Sequence, residues 1–207
     1  MSNVNEEVQQ FMQAHGLQKI VAFSGGADES KSEVESIIYS AMARFRDKPV
    51  AILTGGTKWG VPNYASGIAK DCGLKTIGVM PERGKKYALE ALDLRIVVPP
   101  VYGQSEYGDE SSAFAKLADG VVMIGGSAGT AVEFWHVMKI NTRIQEYLAE
   151  GKTDEAIKLV VPMKGVRGFS ETVMGLAIAK AVPEAFPTTD VYTGDCAGTY
   201  LVDRLVP

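Results

Sequence analysis

The stretch Val121-Val122-Met123-Ile124-Gly125-Gly126-Ser127-Ala128-Gly129-Thr130-Ala131-Val132-Glu133 decides the fold. Four apolar residues run into a glycine-rich turn, and the turn opens a long amphipathic pattern carrying Trp135, Met138, Ile144 and Leu148. A buried parallel strand that ends in glycines at a helix start leaves several backbone N–H groups pointing one way. The helix dipole adds partial positive charge at the same spot, so the turn suits a phosphate or another small anion. Glu133 sits about one turn into the helix, where a carboxylate can face a ligand's sugar rather than its phosphate. A phosphate seat beside a carboxylate points to a nucleotide.

Two further segments repeat the pattern. Pro49-Val50-Ala51-Ile52-Leu53 leads into Thr54-Gly55-Gly56-Thr57-Lys58-Trp59-Gly60, and a helical pattern follows from about Pro62 to Cys72, with Gly73 as a left-handed cap. Lys19-Ile20-Val21-Ala22-Phe23 enters Ser24-Gly25-Gly26-Ala27, with a helix from about Ser30. There Ser30-Lys31-Ser32-Glu33 reads as a capping box, and Val34, Ile37, Ile38, Ala41 and Phe45 form one apolar stripe. One such unit is a weak signal, since glycine turns serve many strand-to-helix connections. Three converge on one crevice, because the carboxyl ends of parallel strands lie side by side.

Strand patterns also cover Thr76–Met80, Leu94–Val98 and Ile157–Val161, with a short one over Val191–Thr193. Helical patterns cover the N-terminus to about Gly16, Pro81–Leu92, Asp109–Ala118, Ala128–Glu150, Ser170–Ala181 and Gly198–Leu205. This alternation predicts an α/β fold with a doubly wound, mainly parallel, Rossmann-like sheet and helices on both faces. No linker divides the chain, so residues 1–207 are read as one nucleotide- or phosphate-binding domain. The least regular stretch, Pro99 to Gly108, is a candidate mobile rim over the crevice.

Composition limits the function classes. Net charge is −4, from 21 basic and 25 acidic residues, and no basic stripe of the kind nucleic acid requires is visible. No run approaches ~20 apolar residues, so no membrane span is expected. The N-terminus, Met1 to Gln10, is polar and acidic, which argues against a secretory signal and for a cytoplasmic protein. Cys72 and Cys196 are isolated and read as small hydrophobes without a disulfide. His136 lies three residues beyond Glu133, but one Glu-x-x-His pair without other clustered ligands does not make a metal site, and none is assigned.

Both glycine motifs resemble a known superfamily. Thr54 to Gly60 looks like the first glycine motif of the LONELY GUY (LOG) branch, and Gly125 to Glu133 resembles its second, written P-G-G-x-G-T-x-x-E. Molybdenum-cofactor carrier proteins and the DNA-processing protein DprA are related branches, and the resemblance covers about residues 18 to 182. LOG enzymes hydrolyse the N-glycosidic bond of nucleoside 5′-monophosphates. The resemblance therefore implies phosphate on the second glycine turn and Glu133, the one candidate catalytic residue, beside the ribose.

Two departures order the functional readings. Glu110 stands where LOG enzymes carry an arginine, counting back from Asp119, and Ile124 replaces the proline before the second glycine pair. Arg83, Lys85 or Lys86 could bring positive charge from another loop, and Trp59, Tyr102 and Tyr107 are stacking candidates. The first reading is a carrier-like binding protein for a nucleotide or phosphorylated cofactor. Its ligand contacts are Gly25, Gly26, Gly55, Gly56, Thr57, Gly60, Gly125, Gly126, Ser127, Gly129 and Thr130. The resemblance implies a nucleotide or pterin-type cofactor as the bound ligand, with no cofactor required. The alternatives are a nucleotide N-glycosidase with Glu133 catalytic and a ligand-sensing regulatory module. Apolar residues on both faces of the pattern from Ala128 to Glu150 predict a homodimer.

Overall fold

Six apolar runs become the strands of one sheet in a computed structural model that describes residues 2–188 and 193–206. They are β1 (Lys19–Gly25), β2 (Val50–Thr54), β3 (Lys75–Pro81), β4 (Leu94–Val98), β5 (Gly120–Ile124) and β6 (Leu159–Pro162). Every pairing is parallel and the order is β4-β3-β2-β1-β5-β6. Strands β2, β5 and β6 are buried at every position, which is why they read as unbroken apolar runs rather than alternating ones. The chain starts mid-sheet, walks outward to β4, then crosses back to set β5 beside β1, with Gly25 opposite Ile124. Connections leave β1 and β5 in opposite directions, and a crevice opens at the carboxyl ends of this Rossmann-like sheet.

Helices α1 (Ser2–Ala14), α2 (Lys31–Ala43), α3 (Gly60–Asp71), α4 (Ser111–Leu117), α5 (Ala128–Ala149), α6 (Ala177–Ala181) and α7 (Gly194–Leu205) cover the two faces. Successive strand residues point to opposite faces, so β1 sends Val21 and Phe23 to α2, α3 and α7, and Ala22 to the side of α4 and α5. Helix α7 lies directly on α2, so close that a methyl group at Gly198 would collide with the Ala41 carbonyl.

Several predicted boundaries move, each for a tertiary reason. The helix expected over Pro81–Leu92 is a short 3-10 helix, Glu82–Tyr87. Beyond it an antiparallel bridge between Thr57 and Ala88, with Leu89 N–H donating to the Gly56 carbonyl, pulls the chain into an extended form. The last strand starts at Leu159 rather than Ile157, since the Asn141 side chain takes both the N–H and the carbonyl of Lys158. The helix expected over Ser170–Ala181 is two 3-10 turns, Phe169–Glu171 and Val173–Gly175, followed by α6. Ser30 precedes α2 as its N-cap but makes no side-chain capping bond, so the capping box does not form. Helix α7 begins four positions before the expected Gly198, and Thr193 is its N-cap. Val191 and Tyr192 of the expected short strand lie outside the described residues. No helix among the described residues is long and apolar enough to cross a membrane.

Candidate functional site

The crevice is a cavity of about 1470 Å³ with wall residues from the ends of β1, β2, β3 and β5 and from the loop after β4. Its floor holds Gly25, Gly26, Gly55 and Thr57 beside Ser127, Gly129, Thr130 and Glu133 at the start of α5. Sequence-predicted ligand contacts from three separate turns thus meet in one space. The other four predicted glycines stand behind the wall. Gly56, at φ +67°, brings its backbone against Gly78, and Gly60, at φ +49°, abuts the Gly26 carbonyl, which accepts the Val61 N–H at 3.0 Å. Gly60 thus locks the second turn onto the first, and Gly56 packs it against β3.

Gly125 and Gly126 adopt φ +57° and +83°, and both of their N–H groups are engaged within the chain. Gly125 N–H donates to Ser170 Oγ at 3.0 Å, and Gly126 N–H donates to Glu29 Oε1 at 2.5 Å. Phe169 and Ser170 N–H groups return bonds to the Gly126 and Gly125 carbonyls at 2.8 and 3.0 Å. The glycine pair is therefore clasped from one side by the 3-10 turn and from the other by a carboxylate. Open donors pass to the first turn of α5, whose N–H groups have no intrahelical partner and whose dipole points at the cavity. A side chain at Gly129 would meet nothing within 4 Å, so that stretch of backbone faces open space.

Glu133 stands in the second turn of α5 and its carboxylate accepts the Ser24 hydroxyl from the end of β1. Burial pushes its pKa to about 7, the Ser24 bond pulls it back, and Glu110 across the cavity raises it further. Glu110, just before α4, is itself raised by burial, against a bond from the Gly108 N–H at 2.8 Å. The position where the LOG resemblance implies arginine thus adds a second acid to the wall.

Positive charge arrives from the 3-10 helix instead. Arg83, Lys85 and Lys86 all border the cavity. Arg83 is committed to the loop after β4: its guanidinium pairs with Glu106 and lies 5.1 Å from the Tyr107 ring centre, and its N–H donates to Ser105 Oγ at 3.0 Å. The stretch read as a mobile rim is therefore fastened toward its C-terminal end. Trp59 and Tyr87 pack with ring centres 4.5 Å apart, and both line the cavity. Lys58 and Lys86 sit 5.4 and 4.9 Å from the Tyr87 ring centre, within cation–π range. Tyr107 lines the wall, whereas Tyr102 is 88% exposed and does not.

Ser24, Glu29 and Ser170 were not visible as site residues in the sequence. Ser24 offered one signal, a polar residue closing an otherwise apolar strand. Nothing near Glu29 or Ser170 marks them. His136, read as a weak metal candidate, has its pKa lowered by burial and by Lys139, and no cluster of three or more His, Cys, Asp or Glu occurs among the described residues.

The comparisons agree with this geometry at the level of fold. The chain is similar to TM1055, a structural-genomics target, at 20% identity over 90% of this chain and 99% of that one, with a TM-score of 0.66. It is similar to the molybdenum cofactor carrier protein MCP from Chlamydomonas reinhardtii at 21% identity, over 91% and 98% of the two chains, with a TM-score of 0.61. A molybdenum cofactor binding protein from the phototrophic bacterium Rippkaea orientalis gives 20% identity, 79% and 98% coverage and a TM-score of 0.51. No curated protein sequence matches the chain. The pattern of the SLOG cluster4 family matches residues 18–159, which span all of the cavity-bordering turns, and the chain belongs to that family, within the LOG-like superfamily its glycine motifs resemble.

Proposed function

We propose that this protein binds a small phosphorylated heterocycle, a nucleotide or a pterin-type cofactor, in the cavity at the carboxyl ends of the strands. One observation carries the reading: the exposed first turn of α5 shares a single cavity with a packed aromatic pair and the cations of the 3-10 helix. The N-terminal donors of α5 take the phosphate, helped by Lys85 and Lys86. Trp59 and Tyr87 offer a flat apolar surface to the ring. Ligand pockets commonly hold ~300–1,000 Å³, so a cavity of about 1470 Å³ accommodates a tricyclic pterin with its phosphate as readily as a nucleotide. Two of the structural neighbours are named for binding or carrying molybdenum cofactor, which is consistent with a pterin as cargo here.

A hydrolytic reading rests on Glu133 alone. Glycosidic cleavage builds positive charge on the sugar, which an ionised carboxylate stabilises. A buried Glu133 facing Glu110 is held partly protonated near neutral pH, and no cation stands where LOG enzymes carry arginine. Binding without turnover is the better-supported function, in a carrier or in a sensor module. The exposed side chains of Val132 and Trp135 on α5 continue from the cavity edge, and we assign that face to a second copy of the chain.

Calorimetry with guanosine 5′-monophosphate and guanosine tests the reading. The phosphate is expected to strengthen binding at least about tenfold, or ~1.4 kcal/mol. Gly129→Val, which fills open space without an internal clash, is expected to erase that difference. Equal affinity for nucleotide and nucleoside would overturn the phosphate site, and brisk release of free guanine abolished by Glu133→Ala would restore the hydrolase.

A further inference from the structure

We propose that Glu29 is a built-in competitor of the ligand's phosphate: its carboxylate, set against Gly26 of the cavity floor, occupies the Gly126 N–H next to the first turn of α5, and a phosphate seated on that turn gains this further donor only by displacing it. The inference rests on the phosphate reading above and adds the residue that decides how strongly the phosphate is held. The carboxylate is wedged where the first and third glycine turns approach each other, at the switch point between β1 and β5. Glu29 Oε1 accepts the Gly126 N–H at 2.5 Å. A Cβ at Gly26 would lie 2.6 Å from that same oxygen and 3.0 Å from the carboxyl carbon, and a Cβ at Gly125 would again lie 3.0 Å from that carbon. Glycine at 26 and at 125 is therefore what makes room for the carboxylate.

A carboxylate accepting a backbone N–H at a strand-to-helix glycine turn reproduces one face of a phosphate bound there. The two anions cannot share the place, because like charges at hydrogen-bond separation repel strongly when partly buried. Glu29 stands in the irregular segment between β1 and α2, where no helix or strand hydrogen bond fixes it. It can swing out toward solvent without breaking the sheet. The glycine pair keeps its shape when that happens, since Ser170 and Phe169 hold it from the opposite side. Glu29 thus lowers affinity for phosphate while leaving the ring and sugar contacts untouched.

The test titrates ¹⁵N-labelled wild type, Glu29→Gln and Glu29→Ala with inorganic phosphate, following the Gly126 amide, with guanosine 5′-monophosphate calorimetry in parallel. Removing the charge is expected to shift the Gly126 amide and to lower the apparent Kd for phosphate at that amide by tenfold or more. Glu29→Gln keeps an acceptor of the same shape, so a comparable gain there assigns the effect to charge and guards against a folding defect in Glu29→Ala. Unchanged phosphate affinity in both variants, or a Gly126 amide that responds to phosphate in none of the three proteins, overturns the proposal. Nucleotide binding of equal strength in wild type and variants keeps the nucleotide reading and sinks the competitor. Tightened phosphate at Gly126 without nucleotide binding does the reverse.

Discussion

Glu133 and Glu110 give the cavity an acidity that neither residue would have alone. The Glu133 carboxyl rises from an ordinary 4.5 to about 7, first because it is buried, with Glu110 adding to the rise and the Ser24 hydroxyl opposing it. The folded chain therefore holds this proton more tightly than the unfolded chain. Its contribution to stability is fully present below the unfolded value and is lost as pH rises through about 7. Glu133→Gln stays neutral and keeps an acceptor for Ser24. Between about pH 5 and about pH 8 the wild type is expected to lose on the order of 2 kcal/mol relative to Glu133→Gln. Urea unfolding of both proteins at the two pH values measures this, and parallel pH dependences would show that Glu133 ionises freely in the fold.

The 3-10 helix Glu82–Tyr87 and the loop after β4 act together at the scale of elements. A regular helix there would have carried Arg83, Lys85 and Lys86 around a cylinder. The short 3-10 turn, stopped by the Thr57–Ala88 bridge, leaves all three along the cavity rim. Arg83 then ties the loop through Glu106, Ser105 and Tyr107. Its ion pair is exposed, so it contributes little to global stability, of the order of 0–1 kcal/mol. Its effect is local order. Arg83→Ala is expected to speed amide hydrogen exchange across residues 101–109 several-fold while global stability changes by less than ~1 kcal/mol. Unchanged exchange in that segment would mean the loop is held by Asp109, which accepts the Val101 and Glu106 N–H groups, and not by Arg83.

At the scale of the molecule, α5 links site and surface. One face is buried through Phe134, Val137, Met138 and Ile144, and the opposite face exposes Val132, Trp135 and Tyr147. Trp135 is 46% exposed, a large apolar area for water to cover, and a two-fold pairing would bury two copies at once. Sedimentation at micromolar concentration is expected to show a dimer that Trp135→Glu converts to a 22.2 kDa monomer. A wild-type monomer under those conditions would remove the second copy from the proposal.

The layered α/β architecture, the three glycine turns and the long helix after β5 are legible in the sequence because each is a local pattern. Apolar runs of strand length, helical periodicity and glycine at a turn needing positive φ all act within a few residues. The convergence of those turns on one cavity also follows, since a parallel sheet gathers its carboxyl ends. The partners of the functional groups were decided elsewhere. Ser24 meets Glu133 across 109 positions, Glu29 meets Gly126 across 97, and Ser170 meets Gly125 across 45. No periodicity or motif encodes such pairings. The same holds for the last strand's start at Leu159, set by Asn141, and for the 3-10 helix that replaces an expected α-helix. What lies nearby in the chain determined the elements and their order. What the packed sheet brought together decided that the Gly125–Gly126 turn meets the chain's own Glu29 carboxylate, because the adjacent strands β1 and β5 bring two turns far apart in sequence side by side.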